Sequence, residues 1–286
     1  METPVASQVS QEQLAAAEDQ LREALDDARI EVRIIESAQE AADASLLLDE
    51  VWNVTGSGTT VLEPSLFIAL AHARNYTAAA FDRDSGQMLG VTVGFFAAPV
   101  GTSMHSHVAG VRHEAVGRGI GAAMKLHQRL WCLEHGITRM TWTFDPLIAR
   151  NAHFNLARLG ASLVEYHADF YGQMRDGVNA GQASDRVFVD WDLTAAPAPS
   201  LTDPDAEAVA AVRIDDDGRP QELDVPREAP VVSIEIPSDM ETLRGTDPQL
   251  AAVWREAVRR AFVELMADGW QVSGFRRSGA YLLTHP

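Results

Sequence analysis

The chain has 286 residues, 46% of them hydrophobic and 22% charged, with a formal net charge of −18. Those values describe a globular chain of one large domain or two small ones, and no run approaches the roughly 18 apolar residues of a membrane helix. The charge argues against a nucleic-acid partner, because phosphate backbones are met by clustered cations, and the single cysteine, Cys132, excludes an intrachain disulfide.

The first residues, Met1-Glu-Thr-Pro-Val-Ala-Ser7, have neither a basic region nor an apolar core, so no secretory signal is read and a cytoplasmic location is expected. Residues 1–30 read as a polar leader and a peripheral helix, Gln11 to Arg29, with a thin stripe of Leu14, Leu21 and Leu25. From Glu31 the pattern is mixed. Residues 31–36 alternate like a strand, 38–51 carry helical spacing, and 63–74 form a second helix with Pro64 in its first turn. Strands follow over 77–82 and 88–96, joined by the turn Asp82-Arg-Asp-Ser-Gly86. The next strand, 103–111, runs into a glycine-rich loop and a helix to Glu134 that stops at Gly136. After it come a strand over 137–144, a helix over 148–159, a strand over 161–171 and a last strand over 186–193. Residues 194–204 are a linker by composition. Beyond it only the strand 231–236, a helix over 248–268 and a hairpin of 270–275 with 280–284 are read. So small a set, in 205–286, is expected to pack on the main domain or to form a subunit contact.

The loop, Gly117-Arg-Gly-Ile-Gly121, carries glycine at alternate positions between a strand and a helix. Backbone N–H groups of such a loop converge at the positive end of the helix dipole, a place suited to phosphate or pyrophosphate. The dinucleotide fingerprint fails, because its third glycine falls on Met124, and the Walker pattern is absent. Arg112, Arg118, Lys125 and Arg129 lie in and beside the loop and are expected to form a local basic spot.

What the stretch resembles is the GNAT superfamily of CoA-dependent N-acyltransferases, whose signature is Gln/Arg-x-x-Gly-x-Gly/Ala. Both glycines of that signature match in Val116-Gly-Arg-Gly-Ile-Gly121, while Val116 replaces the leading Gln or Arg. A second family segment is matched by Ala149-Arg-Asn-Ala-His-Phe-Asn-Leu-Ala-Arg-Leu-Gly-Ala161. There Ala152, Arg158 and Gly160 agree, but Ala149 and Leu156 stand where the family has asparagine and tyrosine. The resemblance covers residues 31–193 and looks closest to a bacterial branch marked by Trp142-Thr-Phe-Asp-Pro146 and a C-terminal extension.

The resemblance implies an α/β fold: a mixed sheet with splayed central parallel strands, helices on both faces, and a small α+β C-terminal extension. It also implies that acetyl-CoA or another acyl-CoA is the co-substrate and a small-molecule amine the acceptor. No metal, nucleic acid or membrane is expected to take part, and a homodimer is reasonable. Val111, Arg112, His113, Gly117, Arg118, Gly119, Ile120, Gly121 and Ala122 would line the CoA site, together with Asn151, Phe154 and Asn155. His105 and His107 alternate on one strand, share a face and are candidates for the base that frees the amine; ordinary hydrogen-bonded sheet residues are the plainer reading. With the usual tyrosine missing, Tyr166 and Tyr171 are the candidate acids, against a plainer reading as core-edge aromatics. Asp145 is expected to cap the helix that follows it, in preference to contacting the substrate ammonium. Arg255 and Arg259, four apart on the tail helix, are weighed as contacts for a substrate carboxylate against a helix that simply faces core or dimer. A catalytically silent acyl-CoA sensor is the rival reading, kept open by Leu156 and Val116.

Overall fold

The structure, a computed structural model, describes residues 9–172, 183–195 and 207–285. The chain forms two compact units; the boundary falls inside the fifth strand, between Trp142 and Thr143, and not at the linker. Most of the 194–204 segment lies outside the described residues.

The first unit opens with α1 (Gln11–Ala28), started by a capping box in which the Gln13 N–H donates to Ser10 Oγ and the Ser10 N–H to Gln13 Oε1. Its buried seam is Ala17, Leu21 and Ala28, and the helix packs on α4 (Ile120–Glu134). β1 (Ile30–Ile34), β2 (Tyr76–Asp82), β3 (Met88–Ala97) and β4 (Ser103–Val111) form consecutive antiparallel pairs. The turn from β2 to β3 is closed by Asp82, whose carboxylate accepts the N–H groups of Asp84 and Ser85. Helices α2 (Ala38–Val51) and α3 (Pro64–His72) cover one face over a core of Ile35, Leu47, Leu48, Phe67, Val91 and Val93. α4 covers the other face, with Met124 against Gly90 and Cys132 Sγ 3.6 Å from Met104 Sδ. β5 (Arg139–Phe144) is parallel to β4, but they pair only from Ser103↔Arg139 to His105↔Thr141. The expected splay of the central parallel strands is therefore present.

β4 carries a bulge. Val93 pairs with Val108 and Gly94 with Ser106, so His107 is left over. The bulge switches the parity of the strand. Met104 and Ser106 meet α4, whereas beyond His107 Val108 packs on the α2–α3 core and a Cβ at Gly110 would strike Trp52 and Leu48.

The second unit holds α5 (Ala149–Ala152), which widens at once into a π-helical turn over His153–Arg158, where a regular α-helix is expected from the sequence. β6 (Ser162–His167) pairs antiparallel with β7 (Arg186–Asp192). The extension is richer than its sequence suggests. It builds a five-stranded sheet of β8 (Val209–Ile214), β9 (Pro220–Glu222), β10 (Val232–Glu235), β11 (Gln271–Arg276) and β12 (Ala280–Thr284), in the order β11-β12-β10-β8-β9. α6 (Met240–Thr246) and α7 (Pro248–Ala267) accompany it, α7 burying Trp254, Val258, Phe262 and Leu265. This sheet belongs to the same unit as residues 143–172: β11 packs on β6 and the π turn, and Tyr281 donates its hydroxyl to the Pro146 carbonyl at 2.7 Å. Among the described residues no helix is long and apolar enough to cross a membrane.

Candidate functional site

In the first unit, β4 ends at Val111 and a short turn, His113–Ala115, delivers the chain to the glycine loop. Gly117 and Gly119 sit at φ +90° and +85°, where an L side chain is strained, and both would face open space. Gly121 is different: its backbone is helical, and an added Cβ would still meet nothing within 4 Å. Gly119 is the N-cap of α4 and supplies no side-chain cap, so the first-turn N–H groups of Ile120, Gly121 and Ala122 have no partner within the helix. A bare wall of N–H groups at the positive end of a fifteen-residue helix is thus present, as the spacing predicts. Such a wall is suited to phosphate or pyrophosphate through backbone alone.

The basic spot is not there. Arg118 donates to the Ala28 carbonyl and the Asp82 carboxylate, tying the loop to the start of the sheet. Arg112 holds the Met88 carbonyl and pairs with Glu50. Arg129 bonds the Leu193 carbonyl and Gln20, and Lys125 is buried beneath β4. Neighbourhood in sequence brought these cations close to the loop, but each is engaged elsewhere, Arg112 and Arg118 in ion pairs at the surface and Lys125 and Arg129 in buried contacts, which corrects the side-chain roles expected of Arg118 and Lys125. His113 is exposed, its carbonyl accepting the Val116 N–H.

Val111 has a definite orientation. The Arg112 N–H donates to the Leu89 carbonyl, so the alternation of an antiparallel ladder turns the Val111 N–H away from β3. Pairing with β5 has already ended at His105, leaving that side of β4 open.

His105 and His107 do share a face. Their ring centroids lie 6.5 Å apart, and both pack on Phe95, at 5.4 and 5.7 Å. His105 Nδ1 is 3.2 Å from Thr141 Oγ1. Burial, then the neighbouring His107, then Lys125 push the His105 imidazole down to about 4, and burial also lowers His107, the more exposed of the two. Both rings favour the uncharged form. Thr141 and Phe95, which fix this pair, escape a reading by motif; the alternation of β5 against β4 was the available signal.

In the second unit the tyrosines part company. Tyr166 lies on β6, its hydroxyl donating to Asp185 at 2.5 Å, and burial and that carboxylate together raise its pKa. Its proton is held, which removes it as a donor to a leaving group. Tyr171 is not on the strand, which ends at His167; it stands exposed in the following turn, 3.2 Å from Thr143 Oγ1 and with the Arg186 guanidinium 5.3 Å from its ring centre. Asn151, Phe154 and Asn155 lie on α5 and its π turn, Asn155 buried and the other two half-buried, beside buried Leu156.

Asp145 does accept the Leu147 N–H, as a cap-type residue should, yet its main partners are cations. Arg255 grips it with two bonds of 2.7 Å and Arg244 adds a third contact. Burial alone would raise its pKa; the Arg255 bonds and the Arg244 charge hold it at about 2. Arg259 forms the same kind of two-bond pair with Asp185. Both tail arginines therefore neutralise carboxylates of their own unit, and neither is available to a substrate carboxylate in the way their spacing suggests.

No family model matches the sequence, and no curated protein matches it. Several solved structures are similar in backbone. A GNAT superfamily phosphinothricin acetyltransferase from Sinorhizobium meliloti, in complex with AcCoA, is 16% identical with a TM-score of 0.48, over 57% of this chain and 88% of that one. The ribosomal-protein-S18-alanine N-acetyltransferase of Escherichia coli is 11% identical with a TM-score of 0.45, over 58% and 96%. A GNAT family acetyltransferase from Elizabethkingia anophelis with acetyl-CoA bound is 10% identical with a TM-score of 0.42, over 57% and 98%. The ligands and acceptors in those names belong to those proteins.

Proposed function

We propose that this chain is an acyl-CoA-dependent N-acyltransferase of the GNAT kind, moving an acyl group, acetyl by default, to the amine of a small molecule such as an amino acid. The observation that carries the reading is the loop: three glycines with open space over each, leading from a strand that bears two histidines into the amino end of a long helix. Gly117 to Ala122 would hold the pyrophosphate of CoA by backbone N–H groups. Acyl-CoA supplies the activated acyl group when bound.

The remaining roles fall to residues whose surroundings favour them. The outward Val111 N–H is a donor of the kind that holds a developing oxyanion. An uncharged imidazole can take the proton of the substrate ammonium, since only the free amine attacks. Within the pair, His105 is anchored at Thr141, and His107 is the member open to solvent. Tyr171, its hydroxyl exposed beside Thr143, is the tyrosine left to protonate the departing thiolate. Asn151, Phe154 and Asn155 stay assigned to the ligand's amide arm by their motif positions. The protein acts in the cytoplasm in this reading.

Calorimetric titration with CoA and thiol release from acetyl-CoA and succinyl-CoA over a panel of amines and amino acids test it together. Micromolar binding with turnover of at least one amine is expected. The second reading, a silent acyl-CoA sensor, is favoured by one pair of observations: buried Leu156 occupies the usual acid's place, and the Tyr166 proton is held by Asp185. Binding without turnover of any amine selects the sensor, and no binding at all removes both readings.

A further inference from the structure

Of the 23 basic residues in this chain, 22 are arginine and one, Lys125, is lysine. That one lysine is buried on α4, and among the described residues no carboxylate pairs with it. Its ammonium donates to Ser106 Oγ at 2.8 Å and to Gln128 Oε1 at 3.1 Å, and lies 4.2 Å from the centre of the Trp142 ring. Ser106 Oγ in turn donates to Gln128 Oε1 at 2.9 Å. The Gln128 amide is turned so that its oxygen takes both donors, while its Nε2 is buried with no partner. The reverse orientation would set Nε2 against the ammonium, so the cluster is arranged around the lysine.

Ser106 is the last residue in register before the bulge, between His105 and His107. A bulge breaks the ladder locally and leaves the next side chains free to re-aim. Here the strand is held at that point from the α4 side, while both rings stand with Phe95. An arginine could supply neither the compact point charge nor the option of losing a proton in so dry a site.

We propose that Lys125 is a positioning residue for the histidine pair: through Ser106 it fixes the backbone where β4 bulges, and so sets how His105 and His107 stand on the opposite face. The catalytic part of this inference rests on the acyltransferase reading; the positioning itself does not. Burial drives the ammonium pKa down to about 7, so the hold on Ser106 changes character near neutrality. Among the described residues, the titratable groups that bear on the pair include the two histidines on β4 and, on α4, Lys125 with the Cys132 thiol beside it. From β3 and β5 come Phe95, Met140, Thr141 and Trp142, none of which titrates in this range.

The test uses the full chain labelled at histidine ring carbons and at lysine Cε, which gives a single lysine resonance. In Lys125→Met the His105 titration is expected to move up by about half a pH unit, with both histidine ring resonances displaced. Ser106→Ala should displace both ring resonances, and Ser106→Thr, which keeps the hydroxyl, should restore them. In turnover assays kcat should fall roughly 10- to 100-fold in Lys125→Met with the CoA dissociation constant unchanged. Native ring resonances and titrations in both Lys125→Met and Ser106→Ala would overturn the proposal. Should Lys125→Met fail to fold, the Ser106→Ala and Ser106→Thr pair decides. Absence of turnover in the wild type sinks the acyltransferase reading but leaves the resonance result to decide the positioning.

Discussion

At the scale of single residues, Gly119 and Gly121 separate folding from ligand binding. Gly119→Val places a β-branched residue at φ +85° and is expected to cost about 1–3 kcal/mol, visible as a lower denaturant midpoint. A Cβ at Gly121 meets nothing within 4 Å and no unfavourable φ, so the midpoint of Gly121→Leu should stay within about 1 kcal/mol of wild type or rise. The same leucine would project over the N–H groups of the first turn, and CoA affinity should drop at least tenfold in titration calorimetry. A Gly121→Leu chain that binds CoA normally would mean the loop is only a turn. Tyr166→Phe makes the opposite point: it removes a bond to Asp185 that Arg259 already satisfies twice, so a loss of about 1 kcal/mol with unchanged kcat is expected. A tenfold fall in kcat would reinstate that phenol as the acid. The glycines were legible because their spacing is itself the structure. The arginines were not, because Arg118 reaches its partners, Ala28 and Asp82, across 90 and 36 positions of sequence.

Among elements, the strands and helices with a clean period and a clear stop were readable, and β4 shows where that kind of reading ends. Strict alternation correctly puts His105 and His107 on one face, yet it would also keep Ser106 and Val108 together, and the bulge at His107 separates them. A bulge has no period of its own. The π turn at His153–Arg158 is hidden in the same way, inside a segment whose composition says only helix. β8, Val-Ala-Ala-Val-Arg-Ile, is one-third alanine and lacks the alternation of an edge strand, so its place beside β10 comes from pairing and not from propensity. The junction after β5 carries the heaviest electrostatic demand. Asp145 stands between Arg244 and Arg255, with Asp145 and Arg255 buried and Arg244 half-buried, and Asp145→Asn would leave two guanidinium groups with no counter-charge at that point. A loss of about 3–5 kcal/mol in urea unfolding is expected, far beyond the cost of a lost cap. A loss near 1 kcal/mol would show that the cap is all Asp145 provides.

For the whole molecule, four groups shifted by their surroundings contribute strongly to how stability follows pH. His105 and His127 are both depressed by burial to about 4 in the folded chain, from 6.5. The unfolded chain therefore binds more protons between those limits, and stability falls as pH drops from 6.5 toward 4. Asp145 works through the opposite protonation logic to the same end: held at about 2 against 3.8, it stabilises above 3.8, and that support is lost as pH falls through 2. Lys125 extends the slope to the alkaline side. Its folded pKa of about 7 lies below the ordinary 10.5, so the penalty of burying the ammonium is complete below 7 and is relieved as pH rises to 10.5. The full relief is on the order of 5 kcal/mol, about half of it reached by pH 9. Over pH 7 to 9 the carboxylates and arginines behind the net −18 keep their ionisation, and the Cys132 thiol, raised by burial, opposes the lysine only near the top of the interval, so the lysine dominates. Urea unfolding should accordingly show a higher midpoint at pH 9 than at pH 7, and Lys125→Met should abolish the difference while raising stability at pH 7. A flat wild-type profile over that interval would mean that the lysine keeps its proton, and water, in the folded chain.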